Sequence, residues 1–394
     1  MPDRRGATLL EDLPGELIDM ILVRLPSKAV GRCRVVSPSW RSATSTSEFM
    51  LEHRRRQPLL PIINGQGRPA SFVVLSDAGA KESSQQLWPF LPGIKNHSKH
   101  DIRASCDGFL IRYDRSLSRY YICNPVICKE VLLPWPQVGE DISNNVVGFY
   151  RHHPTGEYRV LWVSSSVHIS KCSLYALAVG SNEPRHVTVT MPAGSSPSVE
   201  QKLLKGLHSP RPVHHNGSLH WCPYFASDIM GDGGDIIVFD TEAESFRSMR
   251  SPCQTGFRRK LFSMKGTLAF WGMSTPGSTD IDVWVMEDYE ADIWALKYRI
   301  DLSKVEASRQ LYSTASKQKN KRPPDSLMYG FSDMVVLNER ELLIMTNYKL
   351  VFRCDVHGKF LGMVKIGKLQ YRMMLTHHLL QESIIPIPSQ EMQG

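Results

Sequence analysis

Two regimes of hydrophobic patterning divide the chain. Between residues 9 and 50 apolar residues recur at helical spacing; from Pro58 onward they gather in short runs separated by polar turns. In the first regime Leu13, Leu17, Ile18, Ile21, Leu22 and Leu25 form one broad stripe. Asp12 stands where it can cap that helix, and Pro14 falls in its first turn. Pro26 stops the helix after Leu25, because proline has no amide hydrogen and disfavours helix in the residue before it. Ser27 then caps a second short helix carrying Ala29, Val30, Cys33 and Val36. Ser37 caps a third, with Pro38 at its first position, then Trp40 and Ala43. About forty residues cannot bury that much apolar surface alone, so the surplus calls for a partner or for the rest of the chain.

The second regime predicts repetitive β-structure, with no helical stripe of useful length. Five loose hairpins lie at 120–134, 173–189, 236–249, 281–300 and 349–366. Their turns begin at Asn124, Gly180, Asp240, Glu287 and Asp355, which are 56, 60, 47 and 68 residues apart. Several are preceded by a tight turn and a strand: Asp107-Gly108, Asn216-Gly217 and Lys265-Gly266 open such units, the glycine supplying positive φ. A further hairpin covers 146–163. Two hairpins in roughly fifty residues match a β-propeller blade. The expected fold is therefore a small all-α module of short helices, then a mainly β domain, a propeller of about six blades. A large β-sandwich is the competing architecture.

Composition narrows this further. The 394 residues are 42% hydrophobic and 22% charged, with a net charge of +8. The basic residues are thinly spread, and no nucleic-acid partner is expected. Arg54-Arg55-Arg56 would suit a helix C-terminus. Lys317, Lys319, Lys321 and Arg322 read as a solvated loop, with nuclear import the alternative. Residues 1–12 lack the apolar core of a signal peptide, and nowhere do 18 apolar residues run together, so an intracellular protein without a membrane partner is expected. Eight cysteines scattered without a framework fit that compartment.

The motif Leu13-Pro14-x-Glu16-Leu17-x-x-x-Ile21-Leu22-x-Arg24-Leu25-Pro26-Ser27-Lys28, followed by Cys33-Arg34-x-Val36-Ser37-x-x-Trp40-Arg41, resembles an F-box. That family is the adaptor-binding module of SCF-type ubiquitin ligases. The resemblance implies docking on a Skp-family adaptor, and through it on a cullin and a RING subunit. Leu13, Pro14, Leu17, Ile21, Leu22, Leu25, Pro26, Val36 and Trp40 would anchor the adaptor or hold the helices that do. Two positions depart from the family pattern: Pro38 replaces a usually basic residue, and Ala43 a larger aliphatic one. The second removes apolar surface worth roughly 1.5–3 kcal/mol. The run Asp107-Gly108-x-Leu110 to Asn124-Pro125 to Leu133-Pro134 is similar to the F-box-associated domain of plant F-box proteins, a kelch-like propeller that presents a target protein. The double glycine of true kelch repeats occurs once, at Gly233-Gly234. The implied organisation is an F-box at 9–50, a linker at 51–70, a substrate-binding domain at 71–375 and a tail at 376–394.

No catalytic set emerges. The pairs His152-His153, His214-His215 and His377-His378, and His220 with Cys222, invite a metal reading, but none stands at a zinc-site spacing. Cys123 and Cys128 are too far apart for a redox pair. Gly231-Asp232-Gly233-Gly234-Asp235 lacks the carboxylates of a calcium loop. Neither a phosphate-binding loop nor a nucleophile elbow is present. A non-catalytic receptor without cofactor or metal is expected, with a propeller enzyme or small-ligand binder as the alternative.

Overall fold

The computed structural model describes residues 13–66, 71–75, 85–89, 100–137, 142–166, 172–188, 211–222, 235–253, 257–275, 277–315, 327–337, 340–347, 350–364 and 372–388. Four short helices come first: α1 (Gly15–Leu22), α2 (Ser27–Val36), α3 (Pro38–Thr44) and α4 (Ser47–Arg56). Pro14 and Pro26, not Asp12 and Ser27, occupy the N-cap positions of α1 and α2. Neither offers a capping side chain, and Ser27 is already helical. Asp12 lies outside the described residues. Ser37 does cap α3, its Oγ accepting from the Trp40 amide at 3.4 Å, with Pro38 at the first helical position. The fourth helix is capped by Thr46 and ends in Arg54, Arg55 and Arg56, cations suited to the negative end of its dipole.

Among the described residues six four-stranded antiparallel sheets follow. Strands β1 (Leu59–Gln66), β2 (Ser71–Leu75) and β3 (Gln85–Pro89) belong to a sheet completed only at the far end of the chain. The next five sheets are sequential meanders. The first holds β4 (His100–Cys106), β5 (Phe109–Asp114), β6 (Arg119–Asn124) and β7 (Lys129–Leu132). The second holds β8 (Ile142–Arg151), β9 (Tyr158–Ser166), β10 (Cys172–Ala178) and β11 (Arg185–His186). The third holds β12 (Val213–His215), β13 (Ser218–Trp221), β14 (Ile236–Asp240) and β15 (Ser245–Met249). The fourth holds β16 (Phe257–Met264), β17 (Thr267–Met273), β18 (Asp280–Asp288) and β19 (Ile293–Asp301). Helices α5 (Leu302–Ala315) and α6 (Leu327–Gly330) then lead to the fifth, with β20 (Phe331–Val336), β21 (Glu341–Thr346), β22 (Leu350–Asp355) and β23 (Phe360–Met363). Finally β24 (Arg372–Gln381) pairs with β1, from Leu59 opposite Gln381 to Gln66 opposite Arg372. Residues 51–70, expected as a linker, thus hold half of α4 and a paired strand; residues 376–381, expected as tail, are strand.

Each sheet leans on the next. Tyr120 donates to the Asn144 carbonyl at 3.2 Å, and the Trp221 indole to the Val147 carbonyl at 3.2 Å. His220 meets the Tyr289 hydroxyl at 2.9 Å, Trp271 donates to the Met334 carbonyl at 3.1 Å, and His377 meets Asp333 at 2.8 Å. Strand β24 packs beside β4, which completes the circuit. This is a β-propeller, closed by strands from both ends of the chain.

The sequence explains the strands. Second strands such as β5, β13, β17 and β21 are buried on both faces, hence continuous apolar runs like Leu268-Ala269-Phe270-Trp271. The five expected hairpins are the outer pairs of five sheets. Asp107-Gly108 (φ 52° and 87°), Asn216-Gly217 (44° and 66°) and Lys265-Gly266 (51° and 78°) are mirror-type turns with positive φ at both central positions. In the fourth hairpin Asp288, rather than Glu287, begins the turn, its Oδ1 accepting from the Glu290 and Ala291 amides at 3.0 and 3.1 Å. Helix α5 overturns the expectation of no long helix after Pro58. Its buried face mixes Leu302 and Val305 with the ion pair Glu306–Arg309, while Leu311 and Tyr312 are exposed, so the apolar stripe is broken.

Candidate functional site

The nine residues singled out on the N-terminal helices divide by depth. Leu22 is 3% exposed and sits in a small core with Val23, Val30 and Phe49. Leu25 and Trp40 are half-buried against that core. Leu17, Ile21 (42%) and Val36 (73%) face solvent, as do Pro14 and Pro26; Leu13 is intermediate. Met20 and Val35 are also exposed, and sequence reasoning omitted both. They extend the outward apolar face, and the signal for Met20 was its position one turn from Leu17.

The inner side of the helices is locked to the propeller. Ile384, beyond β24, joins the core of Leu22 and Val30, and Val126 packs on it. Asn124 is fully buried and donates to the Ser383 carbonyl at 2.9 Å and the Ile385 carbonyl at 2.8 Å, while its Oδ1 accepts from the Val126 amide at 3.0 Å. The Asn-Pro motif is therefore a clamp on the segment that carries Ile384. Arg54 of α4 pairs with Asp107 in the β4–β5 turn, and Tyr158 donates to the other Asp107 oxygen at 3.0 Å. His53, buried, meets the Leu25 carbonyl at 2.8 Å, and desolvation lowers its pKa. Gln381 donates to the Gln57 carbonyl at 3.1 Å.

Beside α4 the ring forms an open pocket of about 520 Å³. Its walls include Arg54, Arg55, Arg151, His153, His214, His215, His377 and His378, with Asp107. The linear order gave no hint of this convergence. The histidines come from the β8–β9 turn, from β12 and from β24, three separate stretches that the ring brings together. Burial pushes the pKa of His378 well below its ordinary value; His214 shifts in the same direction, though that residue is exposed. In the wall, His377 holds positive φ (56°) at a break in β24 register and reaches Asp333, which also binds Lys260.

The other chemical candidates have structural partners. His220 is buried between the Val213 carbonyl (3.1 Å) and Tyr289, and desolvation brings its pKa to about 3. Cys222 lies in an apolar core beside Val213 and Ile236. Burial raises Cys123 to about 12, while Cys128 is exposed. His152 bonds Thr155 at 2.9 Å. Among the described residues no group of three or more His, Cys, Asp or Glu could hold a metal ion. Residues 231–234 and the basic run at 317–322 lie outside the described residues. Among the described residues no helix is long and apolar enough to cross a membrane.

Helices with an outward apolar face, seated on a propeller closed by its own C-terminal strand, define a bipartite binding protein. The family models agree: residues 10–52 match the F-box domain, and residues 70–318 match the F-box associated β-propeller domain. The chain belongs to the plant F-box proteins with a C-terminal F-box-associated domain. It is 24% identical over 295 residues to the F-box/kelch-repeat protein At3g23880 of Arabidopsis thaliana, covering 71% of this chain and 76% of the relative. It is 25% identical over 319 residues to the F-box protein At3g07870 of the same plant, covering 74% and 73%.

Proposed function

We propose that this chain is the substrate-recognition subunit of an SCF ubiquitin ligase. In this reading Leu17, Met20, Ile21, Val35 and Val36, with Pro14 and Pro26, form the surface that docks on a Skp-family adaptor. Leu22, Leu25 and Trp40 hold the helices in place beneath it. Leu13 lies at the edge of this face. The adaptor brings the cullin and RING subunit, and those partners supply the ubiquitin chemistry. Each four-stranded sheet is one blade of a six-bladed propeller that binds the target. The chain itself acts by position: it raises the effective concentration of target lysines near the charged ubiquitin. It works in the cytoplasm or nucleus, without a cofactor of its own. The F-box comprises residues 9–50, followed by a receptor domain whose bulk is 71–375.

The observation that carries this reading is the exposed apolar face on α1 and α2, beside a core that needs no further cover. The test is a pull-down of the purified full chain with a Skp-family adaptor, beside a Leu17→Asp, Ile21→Asp double variant. Both positions are exposed, so the variant keeps its fold. Binding by wild type and its loss in the variant are expected. A folded wild type that ignores the adaptor refutes the proposal.

A further inference from the structure

The cavity beside α4 has an unbalanced lining. Among the described residues Arg54, Arg55 and Arg151 face a single lining carboxylate, Asp107, which Arg54 and Tyr158 already occupy. Arg55 lies 3.8 Å from Glu52 in an exposed pair of the weak kind, and Arg151 Nε donates to the Gly156 carbonyl at 3.4 Å. Arg55, whose side chain is 68% exposed, and Arg151 keep most of their donors for water or another acceptor. The hydroxyls of Ser105, Ser218 and Thr241 add further polar lining. The volume falls in the range of small-molecule sites.

We propose that this cavity binds a small polyanion, a molecule bearing two or more phosphate or carboxylate groups, with Arg55 and Arg151 as its charge partners. Planar guanidinium forks suit such oxyanions. The ligand would lie where α4 meets the β4–β5 turn, touching both the helical module and the propeller. The inference stands apart from adaptor docking, because it uses none of the outward apolar residues.

The test is calorimetric titration of the full chain with inorganic tripolyphosphate, and in a second arm with citrate. Wild type should bind tripolyphosphate saturably, one to one, and the citrate arm distinguishes a phosphate from a carboxylate preference. An Arg55→Gln, Arg151→Gln double variant should bind about tenfold or more weaker, since each charged hydrogen bond lost is worth at least that. Its melting temperature should match wild type. Arg32→Gln, exposed on α2 and not part of the cavity lining, should change nothing. No saturable binding, full affinity in the double variant, or equal weakening by Arg32→Gln overturns the proposal. So does binding of a glutamate-rich peptide without binding of tripolyphosphate. The adaptor pull-down on the same variants keeps this result separate from the ligase reading.

Discussion

Arg54 and Asp107 meet across the junction between the last F-box helix and the first full meander, and the pair is largely shielded from water. Asp107 also holds Tyr158, so one carboxylate ties α4, the β4–β5 turn and β9 together. Removing Asp107 leaves a part-buried guanidinium with no counter-charge. Asp107→Ala should destabilise by about 3 kcal/mol, and Arg54→Met by less, because Tyr158 keeps the carboxylate paired. Urea unfolding of the two variants checks that order.

Asn124 makes three hydrogen bonds with no exposure to solvent. Asn124→Ala strands two carbonyls and one amide, at roughly 1–3 kcal/mol for each group that water cannot reach. The segment around Ile384 should become protease-sensitive at temperatures where wild type resists. Equal digestion of both proteins would refute the clamp.

Leu22 and Ile21 are neighbours with opposite fates. Leu22→Ala should cost about 2–5 kcal/mol through a cavity in the helical core. Ile21→Ala should stay within about 0.5 kcal/mol in stability. If the proposed adaptor surface is right, Ile21→Ala weakens adaptor binding all the same. Thermal melts and pull-downs on the two variants separate the roles.

The buried histidines set an acid limit. His220 is held neutral by desolvation, its pKa brought to about 3. A depressed folded pKa gives stability that is complete above the unfolded value near 6.5 and is lost as pH falls toward 3. The buried His378 shifts in the same direction and adds to the slope. Each such group can contribute about 1.4 kcal/mol per pH unit within its window. His220→Gln should flatten the stability profile between pH 6.5 and 3, read by urea midpoints across that range. An unchanged slope would show that His220 does not bear this load.

Gly108 has φ near +87°, and a Cβ there would strike the Ser383 side chain and the Gln381 carbonyl. Gly108→Ala should destabilise by more than about 1 kcal/mol, from the positive φ and the close approach together. Gly217→Ala, at a similar φ but facing open space, should cost less, and thermal melts of both compare them.

Legibility in the sequence followed burial. Strands buried on both faces write unbroken apolar runs, so the hairpins at 120–134 and 236–249 were readable to within a residue or two. The sixth sheet was not, because its strands come from 59–89 and 372–381 and no local pattern joins them. Helix α5 hid behind the Glu306–Arg309 pair on its buried side. The F-box motif marked the right helices but could not sort inward from outward, since Ile21 and Leu22 are equally apolar in the alphabet and differ only in what covers them. The histidine-lined cavity was invisible for a topological reason: sequence distance says nothing of a shared axis.

The pairing of β24 with β1 has a consequence in time. During synthesis the helices emerge first, but Ile384 and the carbonyls that Asn124 grips come some 330 residues after Phe49. A nascent chain therefore carries its helical module unseated until residues 372–388 have left the ribosome and closed the circle. A chain broken off early has neither a sealed ring nor a firmly mounted module, so closure of the propeller and mounting of the helical module are one event.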